Sequence, residues 1–291
     1  MRREFVSSVL ESTEQVSIGV VVEDRSSSKN PPQARKTRIA CRLALVLLPL
    51  LTMAGVAQSW DGTVLNAVPR PRLSITAQEL TNAKAAIAQQ VWATRSYNSL
   101  LKDAQSAAAT GYGTLPAVGS SAHKTKAAAI LKTAMAGRLG DRRELLDSAA
   151  DGLVAYAKLY PTVSWTGKLG RLMPSSALDE ALWFIPLVEA YDLVADTGVL
   201  TSAERTLIEK SLIRAAIPVF KIDNYATDVR NYQLYKCSNH HAYHFTAVGL
   251  AGLALGDAAL VDWAINHTYG FRHFIGHALR DDGIQWERSM P

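Results

Sequence analysis

The fold is decided by a stretch late in the chain, NHHAYHFTAVGLAGLALGD at residues 239–257. Its apolar residues Val248, Ala251 and Leu255 recur at the spacing of one helical face, so the pattern predicts a helix. The closing Leu-Gly-Asp offers a glycine for the left-handed residue that ends one helix and an aspartate that caps the next. The stretch therefore predicts a corner between two antiparallel helices.

The same tripeptide occurs at Leu139–Asp141, after another apolar helical face. Helix starts are indicated at Thr76–Glu79 and Thr201–Glu204, where a hydroxyl and a carboxylate three residues later can bond the first N–H groups of a helix. Pro186 is expected to kink or end a helix. No convincing alternating strand pattern is present, so the sequence predicts an all-α fold of antiparallel helical hairpins.

Residues 1–57 have the composition of an export signal. Four basic residues between 35 and 42 precede an uncharged apolar run at 43–57, which ends in small residues. This run is shorter than the roughly 20 residues that a membrane span requires. We therefore predict a signal peptide with a long n-region at residues 1–57. The domain at 58–291 is expected to be periplasmic or secreted, without membrane insertion after cleavage.

Charge is divided unevenly between these two parts. The whole chain has 31 Lys and Arg against 26 Asp and Glu, a net charge of +5. Residues 58–291 retain 23 basic and 21 acidic residues and carry no basic stripe, so nucleic acid is not a predicted partner. Cys237 is the single cysteine after the leader, so no disulfide can form within this domain.

Six of the seven histidines fall between residues 240 and 277. Ser238 or Asn239 is a natural N-cap, so the side chains that follow are expected at a helix mouth, where the helix dipole favours an anion such as a carboxylate. The residues expected at this mouth are Asn239, His240 and either Tyr243 or His244.

Two other interpretations of the histidines remain open. His240 and His244 are four residues apart, as in a zinc half-site, but His241 stands where a zinc hydrolase needs glutamate, so no metal is predicted. The histidines can also be core or capping residues, an interpretation that is strongest for those at 267–277.

The C-terminal residues 281–291, DDGIQWERSMP, place a tryptophan just after an Asp-Gly turn. Trp286 beside Glu287 and Arg288 is typical of a platform on which a sugar stacks, although the same composition suits a surface loop.

Five segments in order resemble the alginate lyase and heparinase II/III-like polysaccharide lyases. These segments are Pro71–Leu80, His123–Pro161, Gly167–Trp183, Asn239–Asp257 and Asp282–Ser289. The resemblance implies an incomplete (α/α) toroid of antiparallel helical hairpins, as in chondroitin AC and alginate lyase-type domains. His241 departs from the glycine of many relatives. Relatives also continue past Pro291 with a catalytic tyrosine and usually a β-sandwich, so the domain is expected to be C-terminally incomplete.

The chemistry that the resemblance implies is β-elimination on an acidic, uronate-containing polysaccharide such as alginate, without a cofactor. It assigns stabilisation of the substrate carboxylate to Asn239, with His240 as donor or base. Tyr243 or His244 is a weaker replacement for the family's tyrosine. Substrate binding is expected at Arg288, Trp286, Glu287 and Trp183, by pairing with carboxylates or stacking on sugars.

Two alternatives to a lyase remain. One is a glycoside hydrolase on a similar helical toroid, whose acid pair would come from Asp179, Glu180 and Glu287. The other is a non-catalytic glycan-binding protein of the periplasm.

Overall fold

The computed structural model describes residues 62–167, 169–221 and 238–278, and helices dominate these ranges. The helices are α1 (Gly62–Ala67), α2 (Ala77–Gln89), α3 (Val91–Ala109), α4 (Ala122–Gly140), α5 (Arg143–Leu159), a 3-10 turn (Tyr160–Thr162), α6 (Ala177–Val194), α7 (Ser202–Leu207), a π-helical turn (Ile208–Arg214), α8 (Ala215–Phe220), α9 (Asn239–Leu255), α10 (Ala258–Asn266) and α11 (Phe271–Ala278). The described residues form no strand, apart from an isolated bridge between Arg72 and Thr76, so the all-α prediction is confirmed. The predicted signal peptide and the segment 281–291 lie outside the described residues.

The predicted helix starts are confirmed. At α2, Glu79 N–H donates to the Thr76 hydroxyl over 3.2 Å, and Thr76 N–H donates to the Glu79 carboxylate over 2.8 Å. Thr201 and Glu204 form the same reciprocal box before α7. Pro186 lies within α6 without ending it, so of the two predicted effects, a kink or an end, the end is excluded.

The two Leu-Gly-Asp corners differ. At the second, Gly256 has φ +67° and Asp257 accepts the N–H of Leu260 over 3.3 Å, as predicted. At the first, Gly140 remains helical and Asp141 takes the left-handed conformation, with φ +52°. Tyr97 lies so close to Gly140 that an added Cβ would be 1.7 Å from its hydroxyl. Glycine at this corner therefore allows Tyr97 to pack closely against the helix. The prediction that Gly140 takes the left-handed conformation was wrong.

Helices α4, α6 and α9 run parallel to one another. Near their N-terminal ends, Lys124 of α4 pairs with Asp179 of α6 over 2.6 Å. At the other end, Arg138 of α4 pairs with Asp196, just after α6, over 3.4 Å. Helix α9 has the same direction as α6, because one arginine, Arg70, bonds both to the last turn of α6 and to the carbonyl of Ala254 in the last turn of α9.

The α6 partner of Arg70 is Asp192, whose side chain is 1% exposed. Its carboxylate accepts hydrogen bonds from the Arg70 guanidinium over 2.7 Å and from the backbone N–H groups of Arg72 and Leu73 over 2.6 and 3.0 Å. We call this set of contacts the Asp192 clasp. It fastens the segment between α1 and α2 to the C-terminal ends of α6 and α9.

Antiparallel helices pack against the parallel ones. Tyr156 in α5 donates its hydroxyl hydrogen to His123 in α4 over 3.0 Å, and Gly152 of α5 lies against Ile130 further along α4. In α9, Gly252 similarly lies against the backbone of Val261 in α10. No helix in the described ranges has both the length and the apolar character needed to cross a bilayer.

Candidate active site

The first turns of α4, α6 and α9 lie side by side at one end of the parallel layer. Lys124 and Asp179 form their ion pair here, and His240 in α9 lies close enough to contribute to lowering the pKa of the same aspartate. Because helix N-termini carry partial positive charge, three of them at one end favour an anion between or above them. This end of the layer is the candidate site.

The first turn of α9 supplies the side chains that sequence analysis placed at a helix mouth. Ser238 is the N-cap residue, and Asn239, His240 and Tyr243 are half-buried. Asn239 and Tyr243 are four residues apart and so share one helical face. His241 fixes this turn from the side, because its Nε2 donates a hydrogen bond to the carbonyl of Tyr269 in the α10–α11 connection.

His244 lies below this turn, in the core. It is 3% exposed and lies against the rings of Phe220 and His241. Burial is the main reason that its pKa is lowered to about 3, and the neighbouring His241 and His240 add to the effect. A neutral, poorly basic imidazole is badly suited to proton transfer at physiological pH, so the geometry disfavours the predicted catalytic role of His244.

Trp183 is also in the core. It has no exposed surface, its ring is stacked on Tyr160 at a centroid distance of 5.3 Å, and Tyr156 meets its edge at 5.3 Å. The predicted role of Trp183 as a sugar platform was wrong, because the ring offers no face to a ligand. It instead packs beneath the first turns of α4 and α6.

Glu180 anchors the loop before α6. Its carboxylate, 0% exposed, accepts hydrogen bonds from Tyr160 Oη over 2.8 Å and from the N–H groups of Leu172 and Met173 over 3.2 and 2.6 Å. Burial raises the pKa of Glu180, and these hydrogen bonds partly offset that effect. The carboxylate therefore holds the loop in place and does not reach a ligand.

Asp179 is the acidic side chain of this end that does reach solvent. Lys124 donates to one of its oxygens over 2.6 Å and the Ser175 hydroxyl to the other over 3.1 Å. The hydrogen bond from Lys124 is the main cause that lowers the pKa of Asp179, and Ser175 and the charge of His240 act in the same direction. Sequence analysis missed Lys124, because its partner lies 55 residues away.

The remaining site predictions stay untested by geometry. Trp286, Glu287 and Arg288 lie outside the described residues, so their proposed contacts with sugars remain predictions. Across the described ranges, no three or more His, Cys, Asp or Glu side chains are grouped in a way that could hold a metal ion.

Two curated proteins are similar to this chain. An alginate lyase of Stenotrophomonas maltophilia is 26% identical over 174 residues, which cover 57% of this chain and 22% of the relative. An exo-oligoalginate lyase of Saccharophagus degradans is 26% identical over 144 residues, 48% of this chain and 18% of the relative. No family model matches the chain. The similarity supports a distant relationship to polysaccharide lyases, and the matched part spans about a fifth of each relative's length.

Proposed function

We propose that this protein is a polysaccharide lyase that cleaves an acidic, uronate-containing polymer such as alginate by β-elimination. The observation that carries the proposal is that the N-termini of three parallel helices lie at one end of the layer, with the half-buried pair Asn239 and His240 in the first turn of α9. The similarity to two proteins named as alginate lyases supports the same chemistry. The parallel layer with antiparallel partners fits an incomplete (α/α) toroid of the alginate lyase and heparinase II/III-like type.

The reaction makes specific demands on the site. A base removes the C5 proton of a uronate, the electron pair forms the C4–C5 double bond, and the C4 oxygen leaves with a proton from an acid. Negative charge grows on the carboxylate as the proton departs, so preorganised donors lower the barrier. We assign this stabilisation to the amide of Asn239, with His240 as donor or base.

The acid is assigned to a hydroxyl. Tyr243 is the candidate among the described residues, since it shares a helical face with Asn239 and is half-buried. His244 is no longer proposed, because burial keeps it neutral and weakly basic. No cofactor is part of this mechanism, and residues 1–57 are proposed to direct the domain to the periplasm or the medium.

A hydrolase is less well supported. Glycoside hydrolysis needs an acid whose proton is available near neutral pH, together with a second carboxylate. Glu180 is enclosed by its own hydrogen bonds, and the ion pair with Lys124 keeps Asp179 ionised. A non-catalytic glycan-binding protein would use the same surface, so only a measurement of activity distinguishes it from a lyase.

The test is elimination by the full-length protein on a panel of uronate polymers, followed through the ultraviolet absorbance of the unsaturated product. We expect a rise with alginate or a related polymer, and loss of that rise in Asn239→Ala and His240→Ala. Asn98→Ala, at an exposed position of α3, is the matched control and should behave as the unaltered protein. No rise with any polymer would refute the proposal, and binding without a rise would favour the glycan-binding alternative.

A further inference from the structure

The ion pair between Lys124 and Asp179 has a fixed geometry at the edge of the candidate site. Both oxygens of Asp179 are bonded, one to Lys124 Nζ at 2.6 Å and the other to the Ser175 hydroxyl at 3.1 Å. The two charged side chains are 34% and 29% exposed. The Lys124 side chain is therefore oriented by Asp179 and partly exposed to solvent.

Two other cations among the described residues near this end are bonded to the protein itself. Lys126 donates to the carbonyl of Thr114 over 2.6 Å, and Arg171 donates to the carbonyl of Val163 over 2.7 Å while lying over the ring of Tyr160. An ammonium group has three N–H donors, and the described contact of Lys124 with Asp179 uses one. Lys124 can thus bridge Asp179 and a second carboxylate.

We propose that Lys124 recognises a uronate carboxylate of the substrate and that Asp179 is the positioning residue that orients Lys124. This inference rests on the proposed function and adds a specificity residue to that site. Helix α6 lies between α4 and α9, and packed helices are about 8–10 Å apart. Lys124 therefore contacts the carboxylate of a different sugar of the same chain from the one at Asn239 and His240.

A substitution at Asp179 distinguishes a role in orienting Lys124 from a purely electrostatic role of its negative charge. If Asp179 acted only through its negative charge, Asp179→Asn would bind an acidic oligosaccharide more tightly, because repulsion would be removed. If Asp179 orients Lys124, the same substitution weakens binding. A surface ion pair contributes little to stability, so both single variants are expected to fold.

The experiment is equilibrium binding of uronate oligosaccharides to the full-length protein, measured by titration calorimetry. A charge-assisted hydrogen bond is worth enough that Lys124→Met should weaken binding roughly tenfold or more. Affinity for the carboxyl-reduced, neutral oligosaccharide should be unchanged. Asp179→Asn should weaken acidic binding less than Lys124→Met, raise KM and leave kcat near its original value, and Lys124→Arg should restore part of the affinity.

The matched control is Lys132→Met. Lys132 is on the same helix and pairs with an aspartate, Asp103, over 3.5 Å, but it lies about 12 Å further along the axis. The Lys132→Met variant should bind acidic oligosaccharides as the unaltered protein does. Unchanged acidic affinity in Lys124→Met, equal loss of the neutral ligand, or tighter binding in Asp179→Asn would each overturn the inference. Binding that depends on Lys124 without elimination would refute the lyase proposal and leave this inference standing.

Discussion

The buried imidazole of His244 makes the stability of this protein depend on pH. Its pKa is lowered to about 3 in the folded chain, whereas an exposed histidine titrates near 6.5. Between these values the unfolded chain binds a proton that the folded chain does not, so stability falls as pH decreases from about 6.5 toward 3. Integrating this linkage from pH 7 to pH 5 gives a loss of about 2 kcal/mol from this one group.

The assay is urea unfolding at pH 7 and pH 5, in the unaltered protein and in His244→Phe. Phenylalanine keeps an aromatic ring against Phe220 and has no proton to bind, so the variant should lose about 2 kcal/mol less on acidification. Comparing the two proteins cancels the contribution of His123, whose pKa is also lowered, mainly by burial. Equal losses in both proteins, or an NMR titration of His244 near pH 6.5, would refute this account and restore a proton-transfer role.

Three substitutions, one of them paired with the control Asp103→Asn, test other parts of the fold by urea unfolding. Glu180→Gln should cost about 1–3 kcal/mol, since an amide has one acceptor oxygen for the two backbone N–H groups and leaves a buried donor unpaired. Asp192→Asn should cost about 1.5–3 kcal/mol, because it removes the charge that accepts a hydrogen bond from half-buried Arg70, whereas Asp103→Asn in an exposed pair should cost less than about 1 kcal/mol. Gly256→Ala should lower the free energy of unfolding by about 1–2 kcal/mol, because Gly256 has a left-handed backbone conformation that alanine adopts at a cost. An unchanged free energy of unfolding would show that the helix corner does not depend on this conformation.

Local chemistry made the helix boundaries predictable. The capping boxes at Thr76–Glu79 and Thr201–Glu204 involve residues three apart, so the sequence contains every atom that forms them. Gly256 and Asp257 likewise act within one corner. The corner at Leu139–Asp141 has the same tripeptide sequence but a different backbone conformation, because Tyr97, more than 40 residues earlier, packs against Gly140.

The candidate site was predictable only along α9. The position of Asn239 and His240 at a helix mouth follows from their place next to an N-cap. The burial of Trp183 does not follow from its neighbours, because the partners that enclose it, Tyr156 and Tyr160, belong to the preceding hairpin. The pairing of Lys124 with Asp179 depends in the same way on helices α4 and α6 packing in parallel.

Parallel packing also explains why this end of the molecule suits an anionic ligand. Each helix of α4, α6 and α9 places a partial positive charge in its first turn, and like charges brought together are unfavourable unless they are compensated. In the described residues, Asp179 and Glu180 in the first turn of α6 provide part of this compensation, and Lys124 in turn pairs with Asp179. The proposed function requires that these helix ends retain net positive charge beside Asn239 and His240. If the proposed substrate class is right, a polymer that carries one carboxylate per sugar binds here more tightly than a neutral polymer of the same shape, and this preference should weaken as salt concentration rises.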